Sequence, residues 1–261
     1  MAFTNAQFSL TDKVAIVTGA GGRGNSIGRA YAFGLSNAGA SVVVADINGE
    51  GAQRVAGEIN ANGGKAIGVQ VDITDRASVA AMAEAAKQAF GGVDILVNNA
   101  ALMAELKFGP TISIAPEEWN RVLAVNLTGA LNCAQAVVDM MRARGGGKIV
   151  NQVSMGAYPA TSVYGISKLA LVGLTHTLAR DLGPDKINVN AIGPGQVKSD
   201  AGLFLTPEGG GFEQRYGPQV AMRLRGDPDE LVGALMLLVS PAGDWITGQV
   251  LNVDGGLIMR A

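Results

Sequence analysis

Short apolar runs alternate along the chain with longer segments of helical periodicity. Seven runs carry few charges and include β-branched residues, which is typical of strands buried on both faces. They span residues 13–18, 41–46, 65–71, 93–97, 148–153, 186–192 and 250–253. Strands that alternate with helices at this spacing predict a doubly wound parallel sheet. We therefore expect an α/β fold of about seven strands, with helices on both faces of the sheet.

The alternation fails at 196–227, where a run of three glycines lies between prolines and scattered large apolar residues. An irregular stretch of this length inside a compact domain usually has a function. We expect it to be a mobile lid over a substrate. No repeat or linker interrupts the rest of the chain, so 1–261 is predicted to be a single domain.

Composition and charge limit the class of protein and the kinds of partner that we expect. Of 261 residues, 48% are hydrophobic and 16% are charged, as expected for a folded chain with a sizeable core. The net charge of −2 gives no reason to expect nucleic acid or an anionic membrane. Cys133 is the single cysteine, so it cannot form a disulfide within the chain. Neither a secretory signal nor a run of eighteen apolar residues is visible, and we expect a cytoplasmic protein.

A glycine-rich run at 19–28 follows the first predicted strand and precedes a helical pattern. This order places backbone N–H groups and a helix N-terminus against a phosphate, although a flexible turn is the alternative. Asp46 ends the second predicted strand, where an acid can accept hydrogen bonds from adenosine ribose hydroxyls and would repel a 2′-phosphate. It predicts NAD, with NADP less favoured. Arg23, in the glycine-rich run, weakens the prediction of NAD. The alternative role for Asp46 is to cap the N-terminus of the helix that follows.

Polar or glycine-containing segments also follow other predicted strands. Gly19, Asp46, Asn98, Ser154 and Pro194 all fall at the carboxyl ends of strands, where ligands bind in sheets of this kind. They are therefore expected to meet at one crevice. A simple turn is the other interpretation of the segment at Asn98.

Tyr164 and Lys168 stand four residues apart in a segment predicted to be helical. Residues at this spacing share one face of a helix, and a nearby cation lowers the pKa of a phenol. The pair is a candidate acid–base device, whereas an aromatic anchor beside a solvated lysine is the alternative. His176, the only histidine, lies more than three turns further along and is expected to be structural or part of a subunit interface.

In combination these features resemble the short-chain dehydrogenase/reductase family, from Val14 to about Gly256. The resemblance rests on Thr18-Gly19 with the glycine loop and Ile27-Gly28, Asp72, Asn98-Asn99-Ala100, Asn126, Ser154, Tyr164-x-x-x-Lys168, Pro194-Gly195, Ile246-Thr247-Gly248-Gln249 and Asp254-Gly255-Gly256. It implies a Rossmann-type fold and an NAD(P)-dependent alcohol dehydrogenase or ketone reductase. It also implies a small-molecule alcohol or ketone substrate and a homotetramer, with a dimer as the alternative.

The resemblance further implies roles for individual residues. Tyr164 would be the general acid–base, and Lys168 would lower its pKa and bind the nicotinamide ribose. Ser154 would stabilise the substrate oxygen, and Asn126 would hold a water that links Lys168 to solvent. Cofactor contacts would come from Gly19, Arg23, Asn25, Ser26, Ile27, Asp46, Ile47, Asp72, Ile73, Asn98, Ala100, Tyr164, Lys168, Pro194, Gly195, Val197 and Ser199.

Two departures from the family pattern bear on these roles. The glycine loop is longer than usual, with Ser26 where the middle glycine is expected, and resembles that of the enoyl reductase branch. Ser154 and Tyr164 are closer in sequence than usual, and Ser162 is a rival hydroxyl that we consider less suitable than Ser154.

The leading hypothesis is an NAD-dependent dehydrogenase for a secondary alcohol or ketone, with no metal. Its predicted substrate pocket is mostly apolar, which favours a hydrophobic or cyclic substrate. The pocket candidates are Ser154, Met155, Tyr158, Leu102, Met103, Gln196, Leu203, Phe204 and Phe212. Two alternatives remain: an enoyl reductase that reduces carbon–carbon double bonds, and a non-catalytic NAD-binding sensor.

Overall fold

The computed structural model describes residues 5–22, 24–103, 106, 109–207, 211, 214 and 217–259. Its centre is a seven-stranded parallel sheet in the order β3-β2-β1-β4-β5-β6-β7. The strands are β1 Val14–Thr18, β2 Ser41–Asp46, β3 Lys65–Gln70, β4 Ile95–Asn98, β5 Gly147–Gln152, β6 Ile187–Pro194 and β7 Val250–Val253. The predicted doubly wound sheet is confirmed, and its order reverses between β1 and β4.

Helices cover both faces of the sheet. They are α1 Ile27–Asn37, α2 Gly49–Ala61, α3 Arg76–Phe90, α4 Pro116–Leu123, α5 Gly129–Ala143, α6 Val163–Leu182, α7 Asp200–Leu205 and α8 Val232–Val239. Alternate residues of β1 enter two different cores: Val17 packs with α1, α2 and α8, whereas Ile16 packs with α3, α5 and α6. This alternation follows from the two-residue period of a strand, so β1 is apolar at every position from Val14 to Val17.

Short polar side chains begin several helices. Ser26 caps α1, Asn48 caps α2, Asp75 caps α3 and Ser162 caps α6, each by accepting a hydrogen bond from a backbone N–H of the first turn. Ser26 therefore has a local reason to occupy the position where the family pattern expects a glycine.

The long helical pattern after Pro116 contains an interruption. Residues Ala124–Thr128 form a π-helical turn between α4 and α5, and Asn126 lies within it. The whole stretch Pro116–Ala143 is long and apolar enough to cross a membrane by length and composition alone, a test that core helices also pass. Cys133 is fully buried in this stretch among apolar neighbours, as expected.

The segment 196–227 is more regular than its composition predicts. Ser199 caps the short helix α7, and Val197 forms a bridge with Gly226, which brings the two ends of the segment together. Phe212 lies outside the described residues. Farther along, the predicted helix at 229–239 begins with a 3-10 turn, Pro228–Leu231, before α8.

Candidate active site

The carboxyl ends of the central strands open into a cleft of about 1,110 Å³. Most residues predicted to bind a cofactor or substrate lie along it, as expected for the switch point of such a sheet. They are Gly19, Ser26, Ile27, Asp46, Ile47, Asp72, Ile73, Ala100, Ser154, Met155, Tyr164, Lys168, Pro194, Gly195, Gln196, Val197 and Ser199. The cleft also takes in Leu102 and Met103.

Glycines shape one end of the cleft. Gly19 has a φ of 67°, and a Cβ at this position would lie 2.7 Å from the Cα of Ala100. A Cβ on Gly28 would collide with the carbonyl oxygen of Gly19 and with the amide of Asn99. The Asn99 amide donates to the carbonyls of Thr18 at 2.9 Å and Gly19 at 3.0 Å. The turn thus packs against Asn99 and Ala100 without room for a side chain at Gly19 or Gly28. We call this turn, which precedes the N-terminus of α1, the glycine cradle, and such a position suits a phosphate.

Asp46 joins the end of β2 to this glycine turn. One carboxylate oxygen accepts from the N–H of Gly21 at 2.8 Å, and the other accepts from the N–H of Asn48 at 2.9 Å. Asn48, and not Asp46, caps α2, so the competing N-cap role is wrong. Each carboxylate oxygen can accept a second hydrogen bond, and the carboxylate lies along the cleft wall.

Asn25 anchors the lengthened glycine loop. Its side-chain amide donates to the carbonyl of Lys198 at 2.9 Å, and its own carbonyl accepts from the N–H of Asp200 at 3.0 Å. The loop is thereby tied to the start of α7, and the predicted cofactor contact of Asn25 stays a prediction. Arg23, also predicted to contact the cofactor, lies outside the described residues.

Ser154, Tyr164 and Lys168 meet in the middle of the cleft. Ser154 follows β5 in an extended conformation, and its hydroxyl accepts from the N–H of Gly156 at 3.1 Å and lies near the phenol of Tyr164. One turn further along α6, Lys168 places its Nζ 5.6 Å from the centre of the Tyr164 ring. This Nζ donates to the backbone carbonyl of Gln152 at 2.7 Å, and Lys168 is only 1% exposed. Ser162 accepts from the N–H of Gly165 as the cap of α6.

Burial dominates the electrostatics of this group. It raises the pKa of Tyr164 to about 12, while the hydrogen bond from Ser154 acts in the lowering direction. It also lowers the pKa of Lys168 to about 7, because a buried ammonium loses its hydration. In this structure the net shift of the phenol pKa is upward, because desolvation is the largest influence on it. The expected lowering by Lys168 stays a prediction.

Asn126 is fully buried in the π-helical turn. Its oxygen accepts from the N–H of Leu102 at 2.8 Å, and its nitrogen donates to the carbonyl of Leu102 and the hydroxyl of Ser167, both at 3.1 Å. Ser167 in turn donates to the carbonyl of Tyr164 at 2.7 Å. The side-chain amide thus joins the segment after β4 to α6. The predicted water between Asn126 and Lys168 stays a prediction.

Four predicted contact residues point elsewhere. The Asn98 amide is buried and donates to Asn151 at 2.9 Å, because at the end of β4 its side chain faces the core. The phenol of Tyr158 donates to Asn252 at 3.1 Å and lines a second cavity of about 600 Å³, which His176 also lines. Leu203 and Phe204 are not among the residues that line the cleft, and Phe204 is 72% exposed.

Some residues that line the cleft were not predicted from the sequence. Ala201 and Leu205 lie one turn apart on the inner face of α7, and their helical spacing was the available signal. Gln152 also lies along the cleft, two residues before Ser154 on the strand. Strand alternation gives residues at this spacing the same face, so this position could have been inferred from Ser154.

A model of the family described as enoyl-(acyl carrier protein) reductase matches residues 22–258. An uncharacterized oxidoreductase of Mycobacterium tuberculosis is 47% identical over 249 residues, which cover 95% of this chain and 98% of the relative. The chain belongs to the short-chain dehydrogenase/reductase family. These matches extend over nearly the whole chain, in agreement with the span of motifs in the sequence.

Two solved structures of this family superpose closely on the chain. One is a 7α-hydroxysteroid dehydrogenase complexed with NADH and 7-oxo glycochenodeoxycholic acid, with a TM-score of 0.89, 36% identity and 98% of each chain covered. The other is a gluconate 5-dehydrogenase from Burkholderia cenocepacia in complex with NADP and tartrate, with a TM-score of 0.89, 34% identity and 97% of each chain covered. The comparisons support an oxidoreductase with a nicotinamide cofactor, and the two neighbours differ in which nicotinamide dinucleotide they hold.

Proposed function

We propose that this protein is an NAD-dependent oxidoreductase that transfers a hydride between nicotinamide and a secondary alcohol or ketone. One observation carries the proposal: Ser154 and Tyr164 line the same cleft, close enough for the Ser154 hydroxyl to lower the pKa of the phenol, one helical turn from the buried Lys168. This group faces a cleft that reaches Asp46 at its other end. A proton donor for an alkoxide oxygen and a dinucleotide cradle are thus combined in one cleft.

The side chains have distinct roles in this proposal. Ser154 hydrogen-bonds the substrate oxygen, and Tyr164 gives a proton to that oxygen in reduction or takes it in oxidation. A phenol with a pKa of about 12 is protonated at neutral pH, which suits donation to a ketone oxygen. Lys168, with a pKa near 7, can hold or release a proton beside it. Bound nicotinamide would supply the hydride acceptor or donor.

The cleft fits a dinucleotide. The glycine cradle excludes side chains at Gly19 and Gly28, and Asp46 offers carboxylate oxygens at the end of β2. Ribose hydroxyls can donate to such oxygens, whereas a 2′-phosphate would be repelled by the charge. We therefore assign NAD in preference to NADP.

The substrate is proposed to be hydrophobic or cyclic. Leu102, Met103, Met155 and Leu205 lie along the cleft near Ser154 and Tyr164, and they present apolar surface to a ligand. The hydroxysteroid dehydrogenase among the similar structures acts on a substrate of this character. We further propose one dinucleotide-binding and catalytic domain at 1–261, with 196–227 acting as its lid, in a cytoplasmic homotetramer or dimer.

A screen of secondary alcohols and ketones with NAD(H) and NADP(H) side by side, followed by nicotinamide absorbance, tests the proposal. We expect turnover with NAD(H) and its near-complete loss in Tyr164→Phe with NADH binding retained. Tyr158→Phe is the matched control, because its phenol lies outside the cleft and bonds Asn252. Equal activity of Tyr164→Phe and the wild type would refute the assigned acid–base role.

Enoyl reduction is the second candidate, favoured by the description of the matching family model and by the lengthened glycine loop. It predicts turnover of activated alkenes by NAD(P)H without oxidation of any alcohol. If neither alkenes nor carbonyl compounds react although NADH binds tightly, the non-catalytic sensor becomes the better explanation.

A further inference from the structure

The side chain of Gln152 is a buried amide whose hydrogen bonding is incomplete. Its side-chain carbonyl oxygen has no hydrogen-bond partner among the residues that the structure describes. The residue is 8% exposed, yet it lies along the cleft. A buried polar atom without a partner is unfavourable, and native structures contain few of them. A ligand group that supplies the partner would account for this one.

The position of Gln152 in the sheet indicates which part of a ligand it would meet. It is the last residue of β5 and pairs in register with Ile192 of β6. Val150, two residues earlier and therefore on the same face, shares a core cluster with Ile192 and Val197. Gln152 thus lies beside the end of β6 and Val197, where the family resemblance implies that Pro194, Gly195 and Val197 contact the cofactor.

Gln152 also lies next to the reacting group. Ser154 follows two residues later in extended conformation, about 6.6 Å along the same face. The backbone carbonyl of Gln152 accepts the hydrogen bond from Lys168, so the backbone there is held in place and the side chain remains available to a ligand. A nicotinamide ring that exchanges hydride with a substrate on Ser154 and Tyr164 would occupy the cleft that Gln152 also lines.

We propose that the side-chain amide of Gln152 hydrogen-bonds the carboxamide of the nicotinamide ring. This inference rests on the proposed function. A carboxamide carries one acceptor and two donors, as does the Gln152 amide, and a half-turn of that amide exchanges its two ends. The Gln152 oxygen, which lacks a partner in the structure, would accept from the carboxamide nitrogen. Gln152 is in this view a specificity residue for the nicotinamide half of the dinucleotide.

Calorimetric titration of wild type and Gln152→Met with NADH and with ADP-ribose tests the inference without any turnover. Methionine keeps the length of the side chain and removes its polar atoms. We expect the Kd for NADH to rise about three- to tenfold, as for the loss of one hydrogen bond. The Kd for ADP-ribose, which lacks the nicotinamide ring, should not change. Gln88→Met, on the exposed surface of α3, is the control and should alter neither value.

A modified cofactor gives a second, independent measurement. In 3-acetylpyridine adenine dinucleotide a methyl group replaces the amide nitrogen, so this analogue cannot donate from that position. We expect the wild type to bind NAD more tightly than the analogue, and this preference to shrink in Gln152→Met. A preference of the same size in both proteins would show that Gln152 does not contact the carboxamide.

Other outcomes are equally decisive. An unchanged Kd for NADH in Gln152→Met, with or without a raised KM for substrate, overturns the inference. Equal weakening of NADH and ADP-ribose also overturns it, because that pattern indicates a structural role. If the methionine variant fails to fold, Gln152→Leu replaces it, and melting temperatures identify folded variants. Failure of the wild type to bind NADH overturns the proposed function itself.

Discussion

The burial of Lys168 leads to a specific prediction about how the free energy of unfolding depends on pH. Its pKa is about 7 in the folded protein and 10.5 when exposed, because burial disfavours the ammonium. Between these values the unfolded chain binds one more proton than the folded chain, so stability rises with pH through this window. The penalty for charging the buried amine is fully present below pH 7 and fades as pH approaches 10.5.

The substitution Lys168→Met removes this dependence. One pKa unit corresponds to about 1.4 kcal/mol, and integration from pH 7 to pH 9 gives about 2 kcal/mol. We expect the stability of the wild type to increase by this amount relative to Lys168→Met over those two pH units. The methionine variant also leaves the carbonyl of Gln152 without its lysine donor, but this adds a constant that does not vary with pH.

Urea denaturation followed by circular dichroism, at several pH values between 6 and 9 and at one protein concentration, measures the difference. Lys87→Met, at an exposed position in α3, is the control and should follow the wild type across the range. A difference between wild type and Lys168→Met that stays flat from pH 7 to 9 would refute the reasoning. It would mean that the buried amine keeps its proton throughout.

Three further predictions concern the cleft. Asp46→Ala should weaken NAD binding and raise the relative kcat/KM with NADP, and an unchanged ratio would contradict the cofactor assignment. Asn126→Ala removes the three hydrogen bonds of a buried amide and should lower the free energy of unfolding by about 2–4 kcal/mol, measured by urea denaturation. A loss below about 0.5 kcal/mol would show that the amide is not a structural link. Asn25→Ala removes the hydrogen bond between the glycine loop and Lys198 and should speed NADH release several-fold in stopped-flow fluorescence. An unchanged rate of release would show that this contact does not help to retain the cofactor.

The lengthened glycine loop has a structural explanation in these contacts. The cradle itself is built by Gly19 and Gly28, which the backbone of Ala100 and the amide of Asn99 approach closely. Asn25, in the inserted part, hydrogen-bonds Lys198 and Asp200. The insertion therefore connects the phosphate end of the cleft to the segment that begins the proposed lid.

The sequence by itself determined the sheet, its helices and much of the cleft. Apolar, β-branched runs such as that at β2 form buried strands because only apolar side chains can occupy both faces of a covered sheet. Parallel strands bring their carboxyl ends to one edge of the sheet, so Asp46 and Ser154 both lie at that edge regardless of the conformation of the loops. The helical period alone puts Tyr164 and Lys168 on one face.

The tertiary structure decided where individual side chains point and what charge they carry. Asn98 faces the core and Asn99 faces the glycine turn, although they are adjacent, because successive residues of a strand point in opposite directions. Tyr158 turns to Asn252, away from the cleft that Ser154 enters. The pKa values of Tyr164 and Lys168 follow from burial by distant segments. Desolvation depends on everything that packs around a group, which no local pattern in the chain specifies.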